Sequence, residues 1–148
     1  MRDDTMDLCD IREIKALLAR HGFHFSKSMG QNFLIADWVP REIADAAELN
    51  ENCAVLEIGP GIGSLTQQLA QRAHKVIAVE LDTSLLPILN ETLGDYPNVE
   101  IISGDVLKLD LSAVLADKSQ SFTVKACANL PYNITTPVLT KLLETGCF

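Results

Sequence analysis

The chain has 148 residues, 47% of them hydrophobic, and a formal net charge of -8. That balance sustains the core of one domain and excludes wholesale disorder. No apolar run approaches the roughly 20 residues of a membrane span, and the polar start MRDDTMDLCD lacks an apolar stretch of signal-peptide type. Four scattered cysteines, Cys9, Cys53, Cys127 and Cys147, form no C-x-x-C pair. They read as free thiols in a reducing cytoplasm, with Cys53 and Cys127 as small buried hydrophobes beside strands. The acidic balance is unlike that of a basic nucleic-acid-binding domain. The charge is uneven, however. Arg12, Lys15, Arg20 and Lys27, with His21 and His24, stand against one acid, Glu13. That segment either touches phosphates or forms an ordinary solvated helix face.

Taken in chain order, DIREIKALLAR (10–20) reads as an amphipathic helix, with Ile11, Ile14, Leu17 and Leu18 at helical spacing and Gly22 at its end. FHFSKSMGQNFL reads as a loop. A second helix is expected from Asp37 as N-cap, with Pro40 in its first turn and Ile43, Ala44 and Ala47 facing inward. The rhythm then changes. AVLEI (54–58) reads as a buried strand, followed by GPGIG and a helix from Ser64 to about Arg72. KVIAVEL (75–81) is a second strand. DTSLLPILNETL is a helix with Ser84 as candidate N-cap and Pro87 in its first turn. VEIIS (99–103) is a third strand, LSAVLAD a short helix, SFTVKACA (121–128) a fourth strand, and TTPVLTKLLET opens a last helix. Strands alternating with helices imply right-handed crossovers and a largely parallel sheet with helices on both faces, an α/β fold.

In such a sheet, ligands sit beyond the carboxyl ends of the strands. Gly59-Pro60-Gly61-Ile62-Gly63 follows the first strand, Glu80 ends the second, Gly104-Asp105 follows the third, and Asn129-Leu130-Pro131-Tyr132 follows the fourth. Four strands thus deliver ligand-type residues to one edge. The glycine loop alone is a weak signal, because Ser64 stands where the third glycine of G-x-G-x-x-G belongs, and a plain tight turn would look the same. Glu80 suits the two hydroxyls of a ribose, although a strand-end acid can also be merely solvated. Asp105 can accept from an adenine amino group, or simply make a turn after glycine. Together the three describe an adenosine site without saying which adenosine cofactor fills it.

Asn129-Leu130-Pro131-Tyr132 is a kit for a flat, amino-bearing ring. The asparagine side chain offers an acceptor and two donors, the proline stiffens the backbone, and the tyrosine offers an aromatic face. The stretch NLPY resembles the motif of S-adenosylmethionine-dependent methyltransferases that act on exocyclic amino groups of bases. GQNFL (30–34) and NLPYNITTP (129–137) together resemble the ribosomal small-subunit RNA adenine dimethyltransferase family, over most of the chain from about Phe25. The resemblance implies a Rossmann-like class I methyltransferase fold and S-adenosylmethionine as cofactor. It implies small-subunit rRNA or a pre-ribosomal particle as partner, with no metal and no membrane, and a cytoplasmic location. It places Asn32 and Leu34, with Gln31 nearby, at the methionine end of the cofactor, and Gly59 and Gly61 beneath it. Glu80 falls on the ribose, Asp105 on the adenine, and Asn129 where cofactor and target base meet.

In that reading the Asn129 side-chain oxygen and the Leu130 carbonyl accept the two amino hydrogens of the target adenine. Pro131 directs the carbonyl, and Tyr132 stacks on the base, a contact worth about 1–3 kcal/mol. The base must first leave its stack. Members of the family continue past the equivalent of Phe148, so the chain is expected to be a fragment: residues 1–24 a helical extension, 25–148 the first part of the catalytic domain. The sheet then has an uncovered edge, and little methyl transfer is expected from this piece alone. Three alternatives stand beside this reading: the sister family that modifies large-subunit adenine, a non-catalytic RNA or transcription factor reusing the fold, and a nicotinamide dehydrogenase with a variant glycine loop.

Overall fold

A computed structural model describes Leu8, residues 10–23, 38–128 and 132–146, and Phe148. The element order is α1 (Ile11–Arg20), α2 (Trp38–Ala46), β1 (Cys53–Ile58), α3 (Ser64–Ala70), β2 (Lys75–Glu80), a 3-10 turn (Thr83–Leu85), α4 (Leu86–Thr92), β3 (Val99–Ser103), α5 (Leu111–Val114), α6 (Ala116–Ser121), β4 (Thr123–Ala128) and α7 (Tyr132–Thr145). The four strands are parallel, in the order β3-β2-β1-β4. Ile58 lies opposite both Val79 and Ala128, and Glu80 opposite Ser103. All four carboxyl ends therefore finish on one edge. The chain moves outward from β1 to β3, then returns to the other side of β1, so the reversal point of the sheet lies between β1 and β4. Among the described residues, β4 pairs with β1 alone, and its other edge is unpaired.

Alternation along the strands divides the core. Ala54, Leu56 and Ile58 pack with Leu111, Leu115 and Val138 on the face covered by α5 and α7. Val55 and Cys127 pack with Ala44, Leu65 and Leu69 on the face covered by α2 and α3. The period-2 alternation of a strand sends successive side chains to opposite faces, so an apolar run such as CAVL feeds both layers. Ile43 and Ala47 pack against the second layer beside Ala44, as their spacing predicts. Cys53 and Cys127 are both buried. Burial pushes the Cys127 thiol up to about 11, with the nearby Glu57 adding to the effect, so this cysteine is no thiolate nucleophile at neutral pH.

Local chemistry sets the ends of the elements. Asp10 caps α1 by accepting from the Arg12 backbone amide at 2.9 Å. At the other end, Phe23 N donates to Leu18 O at 2.8 Å and Gly22 N to Ala19 O at 3.1 Å, with Gly22 at φ 80°. This is the paired-bond helix stop that needs a left-handed residue. Lys125 of β4 donates from Nζ to the Ala47 carbonyl at 2.5 Å and the Glu48 carbonyl at 3.2 Å, covering carbonyls just past the end of α2.

Several expectations shift. Ile11 is 43% exposed, so the buried stripe of α1 is Ile14, Leu17 and Leu18. Asp82, rather than Ser84, caps the segment after β2: its Oδ1 accepts from Ser84 N at 3.0 Å and opens a 3-10 turn ahead of α4. The Ser84 hydroxyl donates to the same Asp82 oxygen at 2.5 Å, so the carboxylate gathers both Ser84 donors. β4 begins at Thr123, because Ser121 still belongs to α6. The last helix starts at Tyr132, ahead of the TTP stretch. Asp37, the expected cap of α2, lies outside the described residues.

Candidate functional site

The site is organised by Glu80. It is 6% exposed at the end of β2. Its Oε1 accepts from the Gly61 amide at 3.1 Å and its Oε2 from the Asp82 amide at 2.9 Å. One carboxylate thus ties the loop after β1 to the turn after β2. An ionised carboxylate has about four acceptor positions, so the two amides leave it capacity for two further donors. The backbone draws the same edge together: Gly59 N donates to Val79 O, and Gly104 N to Glu80 O, each at 2.9 Å.

The glycine loop is a run of left-handed residues. Gly59, Gly61 and Gly63 have φ of 69°, 61° and 98°. Among the described residues, a Cβ on Gly59 would meet nothing within 4 Å, so Gly59 presents bare backbone. This is the surface a ligand needs for close approach. Gly63 is constrained instead from behind: a Cβ there would lie 2.9 Å from Thr92 Oγ1 and 3.2 Å from Leu93 Cδ2. Gly63→Ala combines a strained φ with this clash and is expected to cost about 2–4 kcal/mol of stability, measured by urea unfolding. A loss below about 1 kcal/mol would show that the loop relaxes freely. Ser64, in the place of the missing third glycine, donates from Oγ to the Leu8 carbonyl at 3.2 Å and so ties the chain ahead of α1 to the start of α3.

Asp105 follows β3 and accepts at Oδ1 from the Leu107 amide at 2.9 Å. It therefore makes the turn that aspartate favours after a strand, using one of its acceptor positions. Both sequence readings of Asp105, turn former and ligand acceptor, are compatible with this geometry. Gln31, Asn32 and Leu34, with Asn129, Leu130 and Pro131, lie outside the described residues. Tyr132 is the first residue of α7.

One site-adjacent residue was missed by the reading of the sequence. Glu57, in the middle of the apolar run AVLEI, is 1% exposed on β1 and accepts from Thr66 Oγ1 of α3 at 2.5 Å. Burial raises its carboxyl from 4.5 to about 8, with the charge of Glu80 adding to the rise. The signal was present in the sequence, since an acid inside a strand buried on both faces needs a partner. Of the basic segment, Arg20 and His21 turn back onto the protein. Arg20 Nη2 lies 2.8 Å from Glu91 Oε1, and His21 Nε2 lies 3.0 Å from Glu91 Oε2. The Arg12 side chain is 89% exposed. A groove of about 690 Å³, lined by Leu107, Asp110, Pro137 and Lys141 among others, lies on the flank of the fold between α5 and α7 and includes none of Gly59, Gly61, Glu80 or Asp105.

Comparison with known proteins adds independent information. A family model described as ribosomal RNA adenine dimethylase matches residues 22–148. A ribosomal RNA small subunit methyltransferase A from Alkaliphilus metalliredigens is 52% identical over 130 residues, 88% of this chain and 45% of that protein. Its counterpart from Geobacillus thermodenitrificans is 52% identical over 138 residues, 93% of this chain and 47% of that protein. Among solved structures, the 23S rRNA methyltransferase ErmE superposes with a TM-score of 0.61 at 32% identity, covering 73% of this chain and 41% of that one. A dimethyladenosine transferase from Plasmodium falciparum superposes with a TM-score of 0.60 at 31% identity, covering 72% of this chain and 36% of that one. The chain spans about half the length of the curated relatives it matches.

Proposed function

Because this chain belongs to the ribosomal RNA adenine dimethylase family, we infer that it carries the cofactor site of an S-adenosylmethionine-dependent enzyme that dimethylates the exocyclic amino nitrogen of adenines in small-subunit rRNA. The observation that carries the reading is the Glu80 carboxylate. It is buried at the carboxyl edge of the sheet and anchored by two backbone amides beside the open backbone of Gly59. That arrangement fits a nucleoside: its remaining acceptor capacity matches two ribose hydroxyls, and Gly59 and Gly61 allow close approach from above. Bound S-adenosylmethionine would supply an electrophilic sulfonium methyl.

The chain's own residues supply position. Asp105 accepts from the adenine amino group of the cofactor, and Gln31, Asn32 and Leu34 line its methionine end. Asn129 and the Leu130 carbonyl hold the two amino hydrogens of the target base, Pro131 directs that carbonyl, and Tyr132 stacks on the ring. The target nitrogen is a poor nucleophile because its lone pair is delocalised into the ring. Holding both hydrogens in an acceptor pair turns the lone pair toward the methyl, and alignment supplies much of the rate. The partner is small-subunit rRNA or a pre-ribosomal particle, met in the cytoplasm. Among the described residues, no helix is long and apolar enough to cross a membrane.

Relatives named for the small subunit stand at 52% identity, against 32% for the structure named for 23S rRNA, which supports the small-subunit reading over modification of large-subunit adenine. Mass spectrometry of nucleosides from small- and large-subunit rRNA, each incubated with S-adenosylmethionine and a chain extended to the length of its curated relatives, tests both. The expected product is dimethyladenine in the small-subunit arm, lowered about a hundredfold or more by Asn129→Ala. Product only in the large-subunit arm would overturn the substrate assignment.

A further inference from the structure

The glycine loop is held from its outer side as well as by Glu80. Thr92, the last residue of α4, is 5% exposed. Its hydroxyl donates to the Ile62 carbonyl at 2.8 Å, and the Gln67 side chain of α3 donates to the Thr92 carbonyl at 2.9 Å. A helical threonine ordinarily bonds back to its own helix, but here the Leu89 carbonyl lies at 3.5 Å and the shorter bond goes to the loop. The peptide joining Ile62 and Gly63 is planar, and it is fixed at both ends: its carbonyl by Thr92, and its N–H by the Pro60 carbonyl at 2.9 Å. That plane sets the path of the backbone on either side, including the Gly61 residue bound by Glu80.

The residue next to Thr92 faces another partner. Glu91 holds Arg20 and His21 at the end of α1. At the other end of α1, Ser64 holds the Leu8 carbonyl. Between these ties, Ile14, Leu17 and Leu18 share one buried cluster with Ile62 of the glycine loop and with Leu85 and Ile88. Helix α1 is thus strapped over the outer side of the loop.

We propose that Thr92 is a positioning residue of the cofactor site, and that Glu91 beside it makes cofactor affinity depend on α1 being docked. This rests on the reading of the loop as the S-adenosylmethionine cradle. Thr92 acts through the Ile62 carbonyl, and Glu91 acts through the apolar stripe of α1 that packs on the Ile62 side chain.

Thr92→Val, Thr92→Ser and Glu91→Ala test the proposal in the 148-residue chain. S-adenosylmethionine affinity is read by calorimetry, and amide hydrogen exchange over residues 59–64 is read without ligand. Thr92→Val is expected to weaken binding about tenfold and to speed exchange at Gly61 and Gly63, since it removes one buried hydrogen bond. Thr92→Ser is expected to restore both. Glu91→Ala is expected to weaken binding about threefold and to speed exchange in α1 and in the loop together. Wild-type affinity and exchange in Thr92→Val, or a serine variant as impaired as the valine, would overturn the role of Thr92. Wild-type affinity in Glu91→Ala would overturn the coupling to α1. A wild-type chain that binds no S-adenosylmethionine would overturn the functional reading and the affinity part of the proposal with it. The exchange arm would then still decide whether Thr92 fixes the loop.

Discussion

Replacing Glu80 by alanine should weaken S-adenosylmethionine binding about a hundredfold, which corresponds to about 2.7 kcal/mol. Two losses add. The ribose hydroxyls lose their charge-assisted acceptor, which water replaces in part. The Gly61 and Asp82 amides lose the carboxylate that ties them together, so the loop must be ordered by the ligand instead of being ready for it. The second loss also reaches the protein without ligand, and a lower unfolding temperature should accompany the loss of affinity. Glu80→Gln should fall between the two. The amide keeps one acceptor oxygen but presents an N–H₂ group to one backbone amide, leaving donor against donor. Calorimetric titration of the three proteins gives the order. An alanine variant within about threefold of wild type would remove Glu80 from the ribose site.

The second large effect concerns Glu57 and runs with pH. Its carboxyl titrates near 4.5 in an open chain and is pushed up to about 8 in the fold, first by burial and then by the charge of Glu80. Between those values the folded state binds a proton that the unfolded state has released. Stability from this group is therefore complete below about 4.5, falls as pH rises toward 8, and is fully lost above it. The difference amounts to roughly 3–6 kcal/mol across the window, or about 10 °C in unfolding temperature. Glu57→Gln carries no charge at any pH, and its amide oxygen can still accept from Thr66. The stability gap in favour of the variant should be small at pH 5, widen up to about pH 8 and level off above it. Unfolding temperatures of both proteins across that range isolate Glu57 from other titrating groups. A constant gap would show that Glu57 is ionised in the fold throughout.

The parts of this molecule legible in its sequence are those governed by local pattern. VEIIS becomes β3 with the expected ends, because Asn98 before it and Gly104 after it break the run. Glu80 was readable because a strand's period and length fix which residue ends it, and the α/β alternation fixes which edge that end faces. What escaped was governed by tertiary contact. Thr92 looks like any threonine at the end of a helix, and nothing along α4 says that its hydroxyl reaches the Ile62 carbonyl thirty residues upstream. Ser64 reads as a flaw in a glycine motif, yet it holds the segment ahead of α1. Basic residues near the start read either as phosphate contacts or as a solvated helix face, and two of them, Arg20 and His21, clamp Glu91. Charge along a chain gives composition, whereas the partner of a charge is set by the fold.

The most direct test of the central claim is a calorimetric titration of S-adenosylmethionine into this chain, beside an Asp105→Ala variant and with NADH as the competing adenosine ligand. Saturable binding of S-adenosylmethionine, weakened about tenfold or more by the variant through loss of the adenine amino contact, with no heat from NADH, is the result expected. Binding of NADH in preference, or S-adenosylmethionine binding indifferent to Asp105, would contradict the assignment of this site.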